Sequence, residues 1–207
     1  MEQLKKVGIM GGTFNPIHQG HLLIAEQARE FCALDEVLFI PSGNPYMKNS
    51  GEILDGKIRI KMTALAIEDN PFFALSDMEV ERGGNTYTCD TLRILKEKNP
   101  GVRYFFIVGA DNLFYVENWK NPEDILEGCT LVAAARGEKD DLALKEKALE
   151  LEEKYKAQIR ILPDRKIDLS SSEIRKRLQN GESVRYMIPD KVFSFINKHE
   201  LYRKQEV

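Results

Sequence analysis

The sequence predicts an α/β fold: a doubly wound parallel sheet of the Rossmann-like kind, with C-terminal helices packed on it. Three observations predict it. Short apolar runs alternate with longer amphipathic ones along the chain, the pattern of strands joined by crossover helices. One of those runs, VRYFFIVGAD, reads as a strongly buried strand. The stretch GGTFNPIHQGH, Gly11 to His21, puts glycines, a proline and two histidines where the first strand hands over to a helix. Sheets of this kind hold ligands at the carboxyl ends of their strands, near the point where strand order reverses.

The elements follow in order. Lys5–Met10 reads as the first strand, and His21–Leu34 as a helix with Leu22, Ala25, Ala28, Phe31 and Cys32 near one face. EVLFIP is the second strand, ended by Pro41, and the polar loop SGNPYMKNSGEIL follows. Asp55 is placed to cap a helix carrying Ile58, Met62, Leu65 and Ala66. FFALSD is a short third strand and MEVERGGN a loop. TYTCDTLRILKEKNPG is a helix capped by Thr88 and closed by Pro100 and Gly101. VRYFFIVGAD, CTLVAAAR and QIRILP supply the remaining strands. Between the last two, EKDDLALKEKALELEEKYK reads as a solvated surface helix with Glu150–Lys154 and Glu152–Lys156 pairs at i,i+4 spacing. Two helices, Ser170–Gln179 and Pro189–Lys198, end the chain. No internal repeat or low-complexity linker breaks the pattern, so one domain is expected over residues 1–207, its helical C-terminal part starting near residue 170.

Composition narrows the function classes. With 43% hydrophobic and 30% charged residues, the 207-residue chain reads as globular rather than disordered. The net charge of -3 lacks the basic excess of a nucleic-acid binder. The N-terminus shows no signal peptide and no window has the length of a membrane span, so a cytoplasmic protein is expected. Cys32, Cys89 and Cys129 lie far apart with no CxxC spacing, which argues against disulfides and a zinc site and for buried free thiols.

The chemistry concentrates after the strands. Gly11 and Gly12 let main-chain amides approach a phosphate, Thr13 adds a hydroxyl, and Pro16 stiffens the turn. His18 and His21, three residues apart around Gly20, can face one anionic ligand, and a helix N-terminus follows them. The stretch matches neither G-x-G-x-x-G nor G-x-x-x-x-G-K-[ST]. In DLSSSEIRKRL, Ser170 and Glu173 have capping-box spacing and Leu169 and Ile174 fit a hydrophobic staple. Ser171, Ser172 and Arg175 are then ready for a phosphate at that helix start. Lys48 and Arg136 are supporting cations, Asp111 after Gly109 suits a ribose hydroxyl, and Trp119, the one tryptophan, can stack on a flat ring.

With these motifs the chain resembles the nucleotidyltransferase superfamily marked by H-x-G-H, here His18-Gln19-Gly20-His21. It is most similar to the bacterial nicotinate-mononucleotide adenylyltransferase family. GGTFNPIHQGHL, YTCDTL, GAD followed by Trp119, and LSSSEIR match that family's motifs in the same order, over nearly the whole chain. Asn15 stands where that family usually has aspartate, and Ser172 replaces a common threonine. The resemblance implies a doubly wound sheet and a transfer of adenylate from ATP to nicotinate mononucleotide, with Mg²⁺ carried on the phosphates. It implies His18, His21 and Arg175 as catalytic residues, and Gly12, Thr13, Phe14, His18, His21, Gly109, Asp111, Arg136, Ser171 and Arg175 at ATP. Asn15, Lys48, Tyr87, Thr88 and Trp119 are implied at the mononucleotide, with Trp119 on the pyridine ring and main-chain amides near Tyr87 and Thr88 at its carboxylate. No protein-held metal, nucleic acid or membrane is implied, and a homo-oligomer is left open. Nicotinamide mononucleotide or phosphopantetheine as acceptor, or a regulator that binds nucleotide without catalysis, are the alternatives.

Overall fold

The computed structural model describes residues 4–44, 53–134, 141–163 and 169–203. Its strands are β1 (Lys5–Gly12), β2 (Glu36–Pro41), β3 (Phe73–Leu75), β4 (Val102–Gly109), β5 (Thr130–Ala134) and β6 (Gln158–Leu162). Its helices are α1 (Gln19–Cys32), α2 (Gly56–Ile67), α3 (Met78–Arg82), α4 (Thr88–Lys98), α5 (Ala110–Tyr115), α6 (Pro122–Leu126), α7 (Asp141–Tyr155), α8 (Ser171–Gln179) and α9 (Asp190–Lys198), with a 3₁₀ turn at Val116–Asn118. The strands form one sheet in the order β3-β2-β1-β4-β5-β6, every neighbouring pair parallel. The chain winds outward from β1 to β3, then crosses back to lay β4 beside β1. That reversal opens a crevice between the carboxyl ends of β1 and β4.

Alternation along the strands sends side chains into two apolar layers. Ile9, Phe106 and Val108 face one layer with Leu92 of α4, Leu113 of α5 and Leu151 of α7. Met10, Ile107 and Val132 face the other with Ala25 of α1, Met62 of α2, Ile174 of α8 and Val192 of α9. Each such fully buried side chain contributes about 1.5–3 kcal/mol. The segment just after α1 lies tight on the sheet: a Cβ on Gly8 would sit 2.8 Å from Leu34 Cδ1.

Several expectations need correction. Residues 78–85 are not all loop; α3 forms first, and Gly83 and Gly84, both at φ +67, turn the chain after it. A five-residue helix is too short to show periodicity in sequence. The same reason hid α5 and α6. α1 starts at Gln19 with His18 as N-cap, so His21 lies inside the helix rather than opening it. Thr88 is the first helical residue of α4, and Tyr87 occupies the cap. Phe31 is 49% exposed and Cys32 half-buried, although Cys89 and Cys129 are buried.

The charged helix α7 is also more than a solvated face. Leu144, Ala148 and Leu151 are buried in the core. Lys154 meets Glu117 at 2.7 Å and Glu150 meets Lys147 at 2.9 Å, in place of the expected Glu150–Lys154 pair. For Lys154 a partner across the fold, held by packing, replaces the one along the helix, while Glu150 pairs with Lys147 one turn back.

Candidate active site

The turn after β1 is built around a buried ring. Phe14 sits at φ +48 and is 1% exposed. Gly12 makes room for it, because a Cβ there would lie 2.9 Å from the ring. Phe14 meets the His21 ring edge-on, centroids 5.1 Å apart. The His18 and His21 rings stack at 3.7 Å. The His18 main-chain N–H donates to His21 Nδ1 at 3.2 Å. A nitrogen that accepts carries no proton, so neutral His21 keeps its hydrogen on Nε2 and can donate from there.

α8 forms the opposite wall. The Glu173 N–H donates to Ser170 Oγ at 3.1 Å, the cap read from the sequence. Ser171 Oγ donates to the Pro16 carbonyl at 2.9 Å, and Arg175 Nη1 to the Asn15 carbonyl at 3.0 Å. These bonds bring the histidine turn and the arginine-bearing helix to one cavity of about 550 Å³. Thr13, His18 and His21 line it on one side and Ser171, Ser172 and Arg175 on the other. Hydroxyls, a guanidinium and a helix start are donors suited to phosphate oxygens.

A second cavity of about 370 Å³ lies in the β1–β4 crevice and shares Gly12, Thr13, His21 and Asn112 with the first. Gly109, Asp111, Thr88 and Trp119 line it. Trp119 stands edge-on to Phe106, centroids 6.3 Å apart. Thr88 opens the first turn of α4, where main-chain N–H groups favour an anion. The Tyr87 ring lies under Lys120 Nζ at 4.4 Å, and Tyr87 lines neither cavity. Gly109 and Asp111 thus share a cavity with Thr88 and Trp119 rather than with Ser171 and Arg175. Lys48 and Arg136 lie outside the described residues.

Asn15 lines only the first of these two cavities and is 3% exposed. Its Oδ1 accepts from the Leu54 N–H at 3.2 Å and from the Tyr202 hydroxyl at 2.8 Å. Burial pushes the Tyr202 phenol well above its ordinary range. Sequence reasoning missed this tyrosine, and nothing in the C-terminal sequence signals it.

Arg59 was missed too. It is 2% exposed and donates to three main-chain carbonyls: Leu54 at 2.9 Å, Thr13 at 2.8 Å and Gly43 at 3.0 Å. It ties the histidine turn to the loop after β2, and burial lowers its guanidinium pKa. A signal existed: Arg59, Met62, Thr63 and Ile67 share one buried helical face. Glu79, also missed, lines the second cavity and accepts from Thr91 Oγ1 at 2.6 Å; burial holds its carboxyl above the ordinary range.

Burial pushes the Cys129 thiol up to about 12, and Cys129 lines neither cavity. Among the described residues no group of three or more His, Cys, Asp or Glu could hold a metal ion, and no helix is long and apolar enough to cross a membrane.

A parallel sheet with a histidine turn and an arginine-bearing helix start meeting at one cavity is the architecture of a nucleotidyltransferase-type site. The chain belongs to the cytidylyltransferase-like family, whose profile matches residues 9–177. It is 48% identical over 199 residues to a Lachnoclostridium phytofermentans protein named "Probable nicotinate-nucleotide adenylyltransferase", covering 96% of this chain and 100% of that one. A Clostridium botulinum protein of the same name is 40% identical over 202 residues, covering 98% and 100%. In fold it is similar to the Plasmodium falciparum nicotinic acid mononucleotide adenylyltransferase complexed with NaAD, with TM-score 0.79, 22% identity and coverage of 96% and 97%.

Proposed function

We propose that this chain transfers the adenylyl group of ATP to nicotinate mononucleotide, giving deamido-NAD and pyrophosphate for NAD biosynthesis. The observation that carries this reading is the closure of Ser171 and Arg175 on the Pro16 and Asn15 carbonyls. It sets the histidine turn and α8 on opposite sides of one cavity of about 550 Å³. Relatives at 48% and 40% identity over nearly the whole chain carry the name of that activity.

The mononucleotide phosphate is already anionic at neutral pH and needs alignment more than deprotonation. One of its oxygens attacks the α-phosphorus of ATP in line. The bond from that phosphorus to the bridging oxygen breaks, and its electrons leave with pyrophosphate. Catalysis then rests on positioning and on donors that meet charge on the phosphoryl oxygens. His21 Nε2–H serves the α-phosphoryl group, with His18 stacked behind it. Arg175 and the main-chain N–H groups at the start of α8, that of Ser171 among them, hold the β- and γ-phosphates from the other side, while the Ser171 hydroxyl hydrogen stays on the Pro16 carbonyl. Thr88 and Trp119 receive the pyridine end, where the start of α4 favours a carboxylate over an amide.

The donor set of the larger cavity suits phosphate oxygens rather than a bare cation, so Mg²⁺ fits as an ion carried in by the triphosphate. When bound it would neutralise phosphate charge, while the hydroxyl-bearing residues and Arg175 would hold the phosphates that carry it.

Incubation with ATP, Mg²⁺ and one acceptor at a time tests the proposal. Pyrophosphate release with nicotinate mononucleotide is expected. Release only with nicotinamide mononucleotide or only with phosphopantetheine overturns the choice of acceptor, and binding without release overturns catalysis.

A further inference from the structure

Trp119 lies between two anchored neighbours. Val116, the first residue of the 3₁₀ turn, is 1% exposed, and its carbonyl accepts from the Trp119 N–H at 3.1 Å. Glu117, next in the chain, is the meeting point of three side chains from α7. Lys147 Nζ donates to its Oε2 at 2.6 Å, Lys154 Nζ to its Oε1 at 2.7 Å, and the Tyr155 hydroxyl to Oε1 at 3.0 Å. On the other side of the ring, Lys120 Nζ reaches Asp90 of α4 at 3.1 Å.

The two anchors differ in strength. The Lys120–Asp90 pair is open to water, with side chains 44% and 32% exposed, so its contribution is small. Lys147 and Glu117 are 14% and 24% exposed, and three charge-assisted donors share one carboxylate. Those donors hold the Glu117 carboxyl down at about 2, so it is ionised throughout the neutral range.

We infer that Glu117 is a positioning residue for the pyridine-binding wall: by locking the turn before Trp119 to α7, it fixes the indole against Phe106 and opposite Thr88. The inference rests on the proposed role of Trp119. It goes beyond that role by making acceptor affinity depend on α7, a helix that lines neither cavity. Removing the carboxylate frees the turn, and the ring then loses its fixed angle at the crevice. The phosphate-binding space between His21 and Arg175 is untouched.

The test uses Glu117→Gln, Tyr155→Phe, Trp119→Ala and the control Lys191→Gln, which breaks a more exposed ion pair with Asp69, on residues that line neither cavity. KM is measured separately for nicotinate mononucleotide and ATP. Emission of the single tryptophan and its quenching by the mononucleotide are followed in every variant that retains it. Glu117→Gln is expected to raise the mononucleotide KM about tenfold and leave the ATP KM within about twofold. Its emission should shift to the red; Tyr155→Phe should move both readouts the same way by less, and Lys191→Gln neither. Unchanged emission and mononucleotide KM in Glu117→Gln and Tyr155→Phe overturn the inference, as does a parallel rise in both KM values. If Glu117→Gln fails to fold, Tyr155→Phe decides. Trp119→Ala separates the two levels. An unchanged mononucleotide KM there overturns the role of the ring itself. A raised KM there with a normal one in Glu117→Gln leaves the ring's role standing and removes Glu117 from it.

Discussion

The His18 and His21 rings stack 3.7 Å apart while the His18 main-chain N–H donates to His21 Nδ1. The tautomer of His21 is therefore set by the backbone of the other histidine, which leaves its Nε2–H as the end proposed to meet the α-phosphoryl group. His21→Ala should lower kcat by about 10²–10³-fold with little change in the KM for ATP, since a contact that strengthens as charge develops acts on turnover. His21→Gln places an amide N–H near the old Nε2 and should recover part of the loss. Steady-state kinetics on both variants checks this; near-normal turnover in His21→Ala would remove the histidine from catalysis.

Arg175 and Ser171 each make a bond to the turn that only the folded chain provides. Arg175→Lys should not substitute, because an ammonium is a point charge without the planar fork. A rise of about tenfold in the KM for ATP is expected in Arg175→Lys, and a smaller one in Ser171→Ala. Binding of a non-hydrolysable ATP analogue, measured by calorimetry, tests both without turnover.

The sheet was legible because strand periodicity and glycine placement are local properties, and the histidine turn because its residue types have few other uses together. Ser170 as a cap was legible for the same reason. Arg59 and Glu117 were not, for opposite reasons. Arg59 sits on an apolar helical face, where a reading of pattern treats an arginine as noise rather than as a donor to three carbonyls. Glu117 takes its partners from a helix some thirty residues on, and the local i,i+4 rule paired Lys154 with the wrong carboxylate. Long-range pairing is decided by packing, which spacing does not encode.

Arg59→Met should expose that hidden role. Three partly buried carbonyls would lose their donor at once, and the apolar replacement restores none of them. A loss of about 3 kcal/mol in urea unfolding is expected, with Arg59→Lys recovering part of it. An unchanged midpoint for Arg59→Met would show that the strap around Thr13 is dispensable.

Asn15 stands apart from Thr88 and Trp119, the residues proposed for the pyridine ring. It lines the cavity of His18, His21 and Arg175, and its Oδ1 is directed at Leu54 and Tyr202, both of which a carboxylate could equally accept from. Asn15→Asp should therefore fold, and the ratio of kcat/KM for nicotinate over nicotinamide mononucleotide should stay within about threefold of the parent. The ratio itself should favour the acid in both proteins. A shift beyond about tenfold on substitution would place discrimination at residue 15 instead of at the start of α4.

Acid unfolding provides a check on Glu117 that needs no substrate. Its carboxyl is lowered from 4.5 to about 2, mainly by Lys147 and then by Lys154 and Tyr155. A depressed acid stabilises the fold above its unfolded pKa and loses that contribution as pH falls through the folded one. The window for Glu117 is therefore from about pH 4.5 down to about pH 2. After allowance for solvent around the side chain, the stability difference between the parent and Glu117→Gln should be about 1–2 kcal/mol at pH 7. It should narrow steadily as the pH is lowered through that window. Urea unfolding at a series of pH values measures it. A difference that stays constant with pH would mean that Glu117 contributes through shape and packing, and that the charge shared with α7 stabilises nothing.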